Sequence, residues 1–245
     1  MGLFDVPAGI FSWVDAGLVG FLPAPARIAA WGVVGAVASL GLYWLLSPQQ
    51  RMIRIAEAEQ RLKRAMWEDD TAMAEGLAAA LSLIRLALVR LGLVLVPVLI
   101  AALPIVSLTV WLDTQYGLAL PRPGQTASIK AEPNTAQVRW VAANNTGNNG
   151  PSAHVEVLDR AGQVLQSLPI VVPIPVIEKR AWWNTLIGNP LGYLANDSPV
   201  ERVEISLEKQ QYLSIGPDWI RGWEALFLVT LLVGSVLLKW TLRIR

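Results

Sequence analysis

Residues 91–112 read LGLVLVPVLIAALPIVSLTVWL, 22 positions without a charge. A helix needs about 20 such residues to cross the roughly 30 Å hydrocarbon core of a bilayer. Two further runs share this character. Residues 28–46, IAAWGVVGAVASLGLYWLL, hold 19 uncharged positions, and residues 225–238, ALFLVTLLVGSVLL, hold 14, flanked by Trp223 and Trp240. The third run is short. Its uncharged part rises about 21 Å at 1.5 Å per residue, and the stretch between the flanking tryptophans about 26 Å. Snorkelling flanks or a locally thinned bilayer accommodate such a span. The three runs predict an α-helical membrane protein with three transmembrane helices.

The composition points the same way. Of 245 residues, 53% are hydrophobic and 16% charged, and the mean hydropathy is +0.43. Ordinary soluble domains carry about 25% charged residues. Apolar content this high excludes a disordered chain. There is no cysteine, which removes disulfides, thiolate metal sites and Cys nucleophiles. His154 is the one histidine, so a His-based metal site or catalytic triad is not expected. No GxGxxG or Walker pattern marks a nucleotide site. With 20 Lys+Arg against 19 Asp+Glu, no sequence-wide pull toward nucleic acid arises. The spans hold no ionisable relay of the kind a transporter uses. Neither an enzyme nor a cofactor is expected.

Orientation follows from basic residues near the span ends. Arg51, Arg54, Arg61, Lys63 and Arg64 follow the first span, and Arg85 and Arg90 lead into the second. Lys239, Arg243 and Arg245 close the chain, whereas the first 27 residues hold only Arg27. The expected arrangement is a multi-pass protein of the cell (inner) membrane. Its N-terminus lies outside, and residues 47–90 and the C-terminus are cytoplasmic. Residues 1–10 lack the basic start of a signal peptide. Phe4, Val6, Ile10, Phe11, Trp13, Val14, Leu18 and Phe21 recur with helical gaps, which suggests an amphipathic segment on the outer leaflet.

Residues 47–90 read as an antiparallel coiled-coil hairpin. Ser47 and Gln50 form a capping-box pattern with Pro48 at the first helical position. Met52, Ile55, Leu62 and Met66 follow at alternating gaps of three and four, with Glu59 interrupting. Asp70 is placed to cap a second arm, in which Met73, Leu77, Ile84, Leu88 and Leu91 continue the period into the second span. A simple helical connector would be shorter, and the extra length suits docking or guiding of a substrate.

Residues 118–215 change character and are expected to fold as an inserted, extracytoplasmic β-sandwich-like domain. Candidate strands are residues 126–131, 136–143, 153–158, 164–172 and 200–207. NNTGNNGP at 144–151 and Asp159-Arg160-Ala161-Gly162 read as turns. Pro169, Pro173 and Pro175 demote their neighbourhood to an edge or a crossover. AWWNTLIGNPLGYL at 181–194 is an apolar, aromatic excursion suited to the membrane interface.

The order of these elements resembles the YidC-type membrane protein insertase superfamily. It is most similar to the minimal three-span archaeal YidC-like branch, relatives of the insertase subunit of the endoplasmic-reticulum membrane complex. The residues that carry the likeness are Leu103-Pro104-Ile105 through Trp111-Leu112-Asp113-Thr114-Gln115-Tyr116-Gly117, and residues 219–245, where aromatic and glycine residues enter a short span with a basic tail. It covers roughly residues 1–117 and 216–245. The inserted domain departs from that branch, and no charge lies inside any span, where five-span insertases place an Arg.

The resemblance implies an insertase or membrane chaperone. A hydrophilic groove and a thinned bilayer would spare a polar tail the several kcal/mol that each unsatisfied group costs in hydrocarbon. Candidate groove residues are Ser39, Ser107, Thr109, Thr230 and Ser235, with Arg85 and Arg90 at the cytoplasmic mouth. Hydroxyls at such positions also bond back to their own helix. Expected partners are the lipid bilayer, nascent membrane proteins with the ribosome or translocase at the hairpin, and a protein at the external domain. The competing expectation is a non-catalytic scaffold subunit of a larger membrane complex.

Overall fold

A computed structural model describes residues 2–68, 73–122, 124–133, 137–142, 153–159 and 161–242, with the side chains of 49, 65–68 and 73–79 excepted. Three helices are long and apolar enough to cross a membrane: Ala24–Leu46, Ala80–Gly117 and Trp223–Thr241. Separate antiparallel sheets complete the architecture. The chain divides into two compact units, one of Met1–Val33 and Val106–Val233, the other of Val34–Ile105 and Gly234–Arg245.

In the first unit a single 3-10 turn, Leu3–Asp5, leads into α1 (Ala8–Leu18), whose first bonds run to the Pro7 carbonyl. Helix α2 spans Ala24–Leu46. It starts four residues before the apolar run that announced it, so Arg27 is inside the helix. The last part of α4 (Met73–Leu112) ends in a π-helical turn, Asp113–Gly117. Such turns widen the ladder by one residue and re-aim the side chains that follow. Here the turn sends Tyr116 inward, where it is buried. Strand β1 (Leu118–Ala119) pairs with β8 (Glu208–Lys209), so the inserted domain enters and leaves through one antiparallel neck. Gln210 ties this neck twice, from its N–H to the Gly117 carbonyl and from Nε2 to the Leu118 carbonyl.

Beyond the neck lie two three-stranded antiparallel sheets. One has the order β2 (Ile129–Glu132), β7 (Arg202–Ile205), β6 (Val176–Glu178), and the other β3 (Gln137–Val141), β4 (His154–Leu158), β5 (Val164–Pro169). Side chains on a strand alternate between faces. Accordingly Val155 and Val157 on β4, and Val203 and Ile205 on β7, are buried while their neighbours are not. Both sheets contribute to one apolar cluster with Ala131, Leu168, Ile177, Leu191 and Val200. The β4–β5 turn forms because Asp159 accepts the N–H groups of Ala161 and Gln163, each at 2.8 Å, and Gly162 takes a φ of 79°. The proline-rich passage ends β5 at Pro169 and delivers the chain to the other sheet as β6, an edge strand.

Short α5 (Asp218–Arg221) precedes α6 (Trp223–Leu242). Near the start of α6 a Cβ on Gly32 of α2 would collide with the Thr230 Oγ1, and the Phe227 carbonyl would lie 3.0 Å away. Glycine at position 32 is what lets α2 and α6 approach so closely there.

The second unit holds α3 (Gln49–Glu68) and the rest of α4. The Pro48 carbonyl accepts from Arg51 and Met52, so α3 begins one residue later than the Ser47 capping pattern predicts. Helix α4 passes Pro97 and Pro104 without ending. The Asp70 cap, the 144–151 turn and the last three residues of the basic tail lie outside the described residues.

Candidate functional site

In the first unit the polar chemistry converges on one carboxylate. Asp15 on α1 is 9% exposed. It pairs with the Arg27 guanidinium and accepts from the Trp31 indole at 3.0 Å, both on α2. The Tyr116 hydroxyl lies 2.7 Å from each of its oxygens. A buried carboxylate survives only when paired and hydrogen-bonded, and these donors meet that demand. The Trp111 indole donates to Ser12 at 2.9 Å, adding a second polar tie between α4 and α1.

Aromatic rings pack around this group. Phe11, Trp31 and Trp111 meet edge to face at 5.0–5.6 Å, and Trp111, Tyr116 and Tyr212 extend the chain of contacts at 5.9–6.0 Å. The Arg27 guanidinium also lies over the Tyr116 ring at 5.5 Å. Tyr212 donates to the Tyr116 carbonyl or to Gln210 Oε1. Burial, the largest influence, pushes the Tyr212 phenol up to about 12; Arg27 opposes the rise and Glu224 adds to it. The cluster has no exposed nucleophile. Its groups are engaged with one another, so it fastens α1, α2, the end of α4 and the neck strand segment together. The sequence carried one signal for it: Asp15 is the only charge between Val6 and Ala26.

The same unit has a cavity of about 1040 Å³ lined by Asp113, Glu178, Trp183, Lys209, Trp219 and Glu224 among others. No group of three or more His, Cys, Asp or Glu able to hold a metal occurs among the described residues.

The second unit carries a groove of about 570 Å³ between α3 and α4. Leu83, Ile84, Ala87, Leu91 and Val94 give it an apolar wall, and Glu59, Lys63 and Arg90 supply charge. Arg90 donates to Glu59 at 3.1 Å, across 31 residues, a single tie between α3 and α4. Ile53 on α3 and Leu81, Ile84 and Leu88 on α4 are all more than half exposed. Apolar side chains left open at this density mark a surface awaiting lipid or a partner.

The residues singled out from sequence divide between the two units. Ser107 is buried on α4, Thr109 is exposed beside it, and Thr230 lies on α6 against Gly32. The Thr230 hydroxyl donates back to the Leu226 and Phe227 carbonyls at 2.8 and 3.0 Å. Ser39 and Ser235 are half-buried in the second unit, and Arg85 is exposed there. None of the five hydroxyl residues lines the 1040 Å³ cavity or the 570 Å³ groove. Of the seven candidates, Arg90 alone lines the groove. No family model, curated protein or solved structure matches the chain.

Proposed function

We propose that this chain is a membrane protein insertase or membrane chaperone of YidC-like type. The observation that carries the reading is the groove between α3 and α4, with its apolar wall and its Glu59, Lys63 and Arg90 charges. A segment leaving water for lipid needs both kinds of surface in sequence. Its apolar part rests on Leu83, Ile84, Leu91 and Val94, and its polar flank stays near the charges. The α4 wall of that groove belongs to the most apolar of the three candidate spans, Ala80–Gly117, which contains an 18-residue window of mean hydropathy 2.7. In this reading α3 and the groove are cytoplasmic, the inserted β domain is outside, and the short uncharged part of α6 thins the bilayer locally. No cofactor takes part. The substrates are nascent membrane proteins with short polar tails.

Site-specific photocrosslinkers at Ile84 and Leu91 test this. Crosslinks to many nascent membrane proteins support insertion, and a single stable adduct supports a scaffold. The scaffold reading has one observation in its favour: the Thr230 hydroxyl is engaged with its own helix rather than turned to a hydrated trough.

A further inference from the structure

Two segments far apart in sequence meet at the N-terminus. Asp5 Oδ2 accepts the Gly188 N–H at 2.7 Å and the Gly2 N–H at 2.8 Å, and the Phe4 N–H donates to the Leu186 carbonyl at 2.9 Å. The approach is close enough that a Cβ on Gly2 would sit 2.5 Å from the Gly188 nitrogen and the Leu186 oxygen. The start of the chain is thereby bolted to the aromatic excursion of the inserted domain.

Both partners expose large apolar side chains. Val6 is 70%, Trp13 78% and Trp182 82% exposed, with Leu3, Ile10 and Ile187 also open. Neither presents a charge. Asp5 and Asp15 are the only charged residues in 2–26, and both are consumed internally, the first by backbone N–H groups and the second by Arg27, Trp31 and Tyr116. Residues 181–194 contain no charged residue at all.

We infer that the N-terminal segment and the 181–187 turn form a single platform seated in the lipid–water interface, with Asp5 as the bolt between its halves. Its exposed polar members are few, Thr185 and the flanking Arg180; the rest is tryptophan and aliphatic side chains, which favour interfacial depth, and a basic residue at the edge of such a surface reaches the headgroups. It is also continuous with α2, which begins at Ala24 and is apolar enough to span. The inserted domain is therefore held at the membrane by its own surface as well as by its neck. The inference rests on the reading of the apolar helices as membrane spans and is independent of the insertase proposal.

The cysteine-free chain makes the test direct. Single cysteines are introduced as Val6→Cys, Trp13→Cys, Trp182→Cys and, as an aqueous reference, Val164→Cys on β5. Each is spin-labelled in the full chain reconstituted in phospholipid vesicles. Collision with oxygen, which concentrates in lipid, is compared with collision with a water-soluble nickel chelate. Labels at 6, 13 and 182 are expected to favour oxygen at least several-fold over the reference at 164. Equal nickel access at 182 and 164 overturns the platform. Shielding from both reagents at 6, 13 and 182 reveals a protein contact and also overturns it. Adding Asp5→Ala is expected to move the label at 182 toward nickel access while the label at 13 keeps its depth. Unchanged depth at 182 removes Asp5 from its assigned role.

Discussion

The Tyr116 hydroxyl sits 2.7 Å from both oxygens of Asp15, a residue 101 positions earlier, so one O–H at the end of α4 is shared across the carboxylate of α1. That contact joins the first helix to the turn that opens the inserted domain. Removing Asp15 strands the Arg27 guanidinium in a buried setting, and breaking such a pair costs about 3–5 kcal/mol. Tyr116→Phe deletes one bond to a charged group, worth about 1.5–3 kcal/mol. Unfolding in detergent is expected to rank Asp15→Ala as more damaging than Tyr116→Phe. The double variant should cost less than the two losses added, because the residues share a contact. Full additivity would mean the hydroxyl and carboxylate act independently.

Tyr212 gives the fold an alkaline limit. The unfolded phenol loses its proton near pH 10.0, and the folded one holds it to about 12. Across that interval the unfolded chain binds fewer protons than the native one, so stability is fully present below pH 10 and falls as the pH rises toward 12. Tyr212→Phe should be less stable at neutral pH, having lost a hydrogen bond, but should show a flatter decline between those limits. Thermal melts at pH 8, 10 and 11 check this; parallel declines in both proteins would argue against it.

Gly32 and Thr230 predict a compensating pair. A Cβ at 32 meets the Thr230 hydroxyl and lies 3.0 Å from the Thr230 Cβ and the Phe227 carbonyl. Gly32→Leu should cost about 1–3 kcal/mol or more through overpacking. Gly32→Ala should be partly rescued by Thr230→Ala, which removes the nearest atom. Melting temperatures of the single and double variants in one detergent decide it, and absence of rescue would show that the backbone contact dominates.

Arg90 separates folding from proposed activity. Its bond to Glu59 is exposed, and exposed pairs contribute about 0–1 kcal/mol. Arg90→Ala should therefore melt within a few degrees of the parent protein. In the insertase reading it should still weaken crosslinking of substrates to Ile84. A large loss of stability would recast Arg90 as a structural residue.

Much of the helical framework was legible because apolar runs of 14–22 residues have few other destinations than lipid. Helix α2 begins four residues before the uncharged run 28–46 for a specific reason. Arg27 lies inside the helix, where it pairs with Asp15. The Asp159 turn was readable, being local chemistry, whereas β5, expected over residues 164–172, stops at Pro169. Strand β6 was not readable, being three residues between Pro175 and the excursion, without an alternating pattern of its own. The Asp15 cluster was hidden for a different reason. Its ties span 12, 16 and 101 residues, and no periodicity reports distances of that kind. The hydroxyl candidates were chosen by type alone, and type does not distinguish a hydroxyl that lines a trough from one that, like Thr230, bonds its own helix.

The central claim is that the groove beside Arg90 helps polar tails across the bilayer. Reconstitution answers it most directly. The purified full chain is placed in vesicles, and a nascent membrane protein with one span and a short polar tail is synthesised in their presence. Protease protection of the tail is then scored with and without the protein, and with the groove-blocking change Leu91→Arg. The account predicts several-fold more protected tail with the parent protein than with empty vesicles, and a return toward the empty level with Leu91→Arg. Equal protection in all three preparations would contradict it.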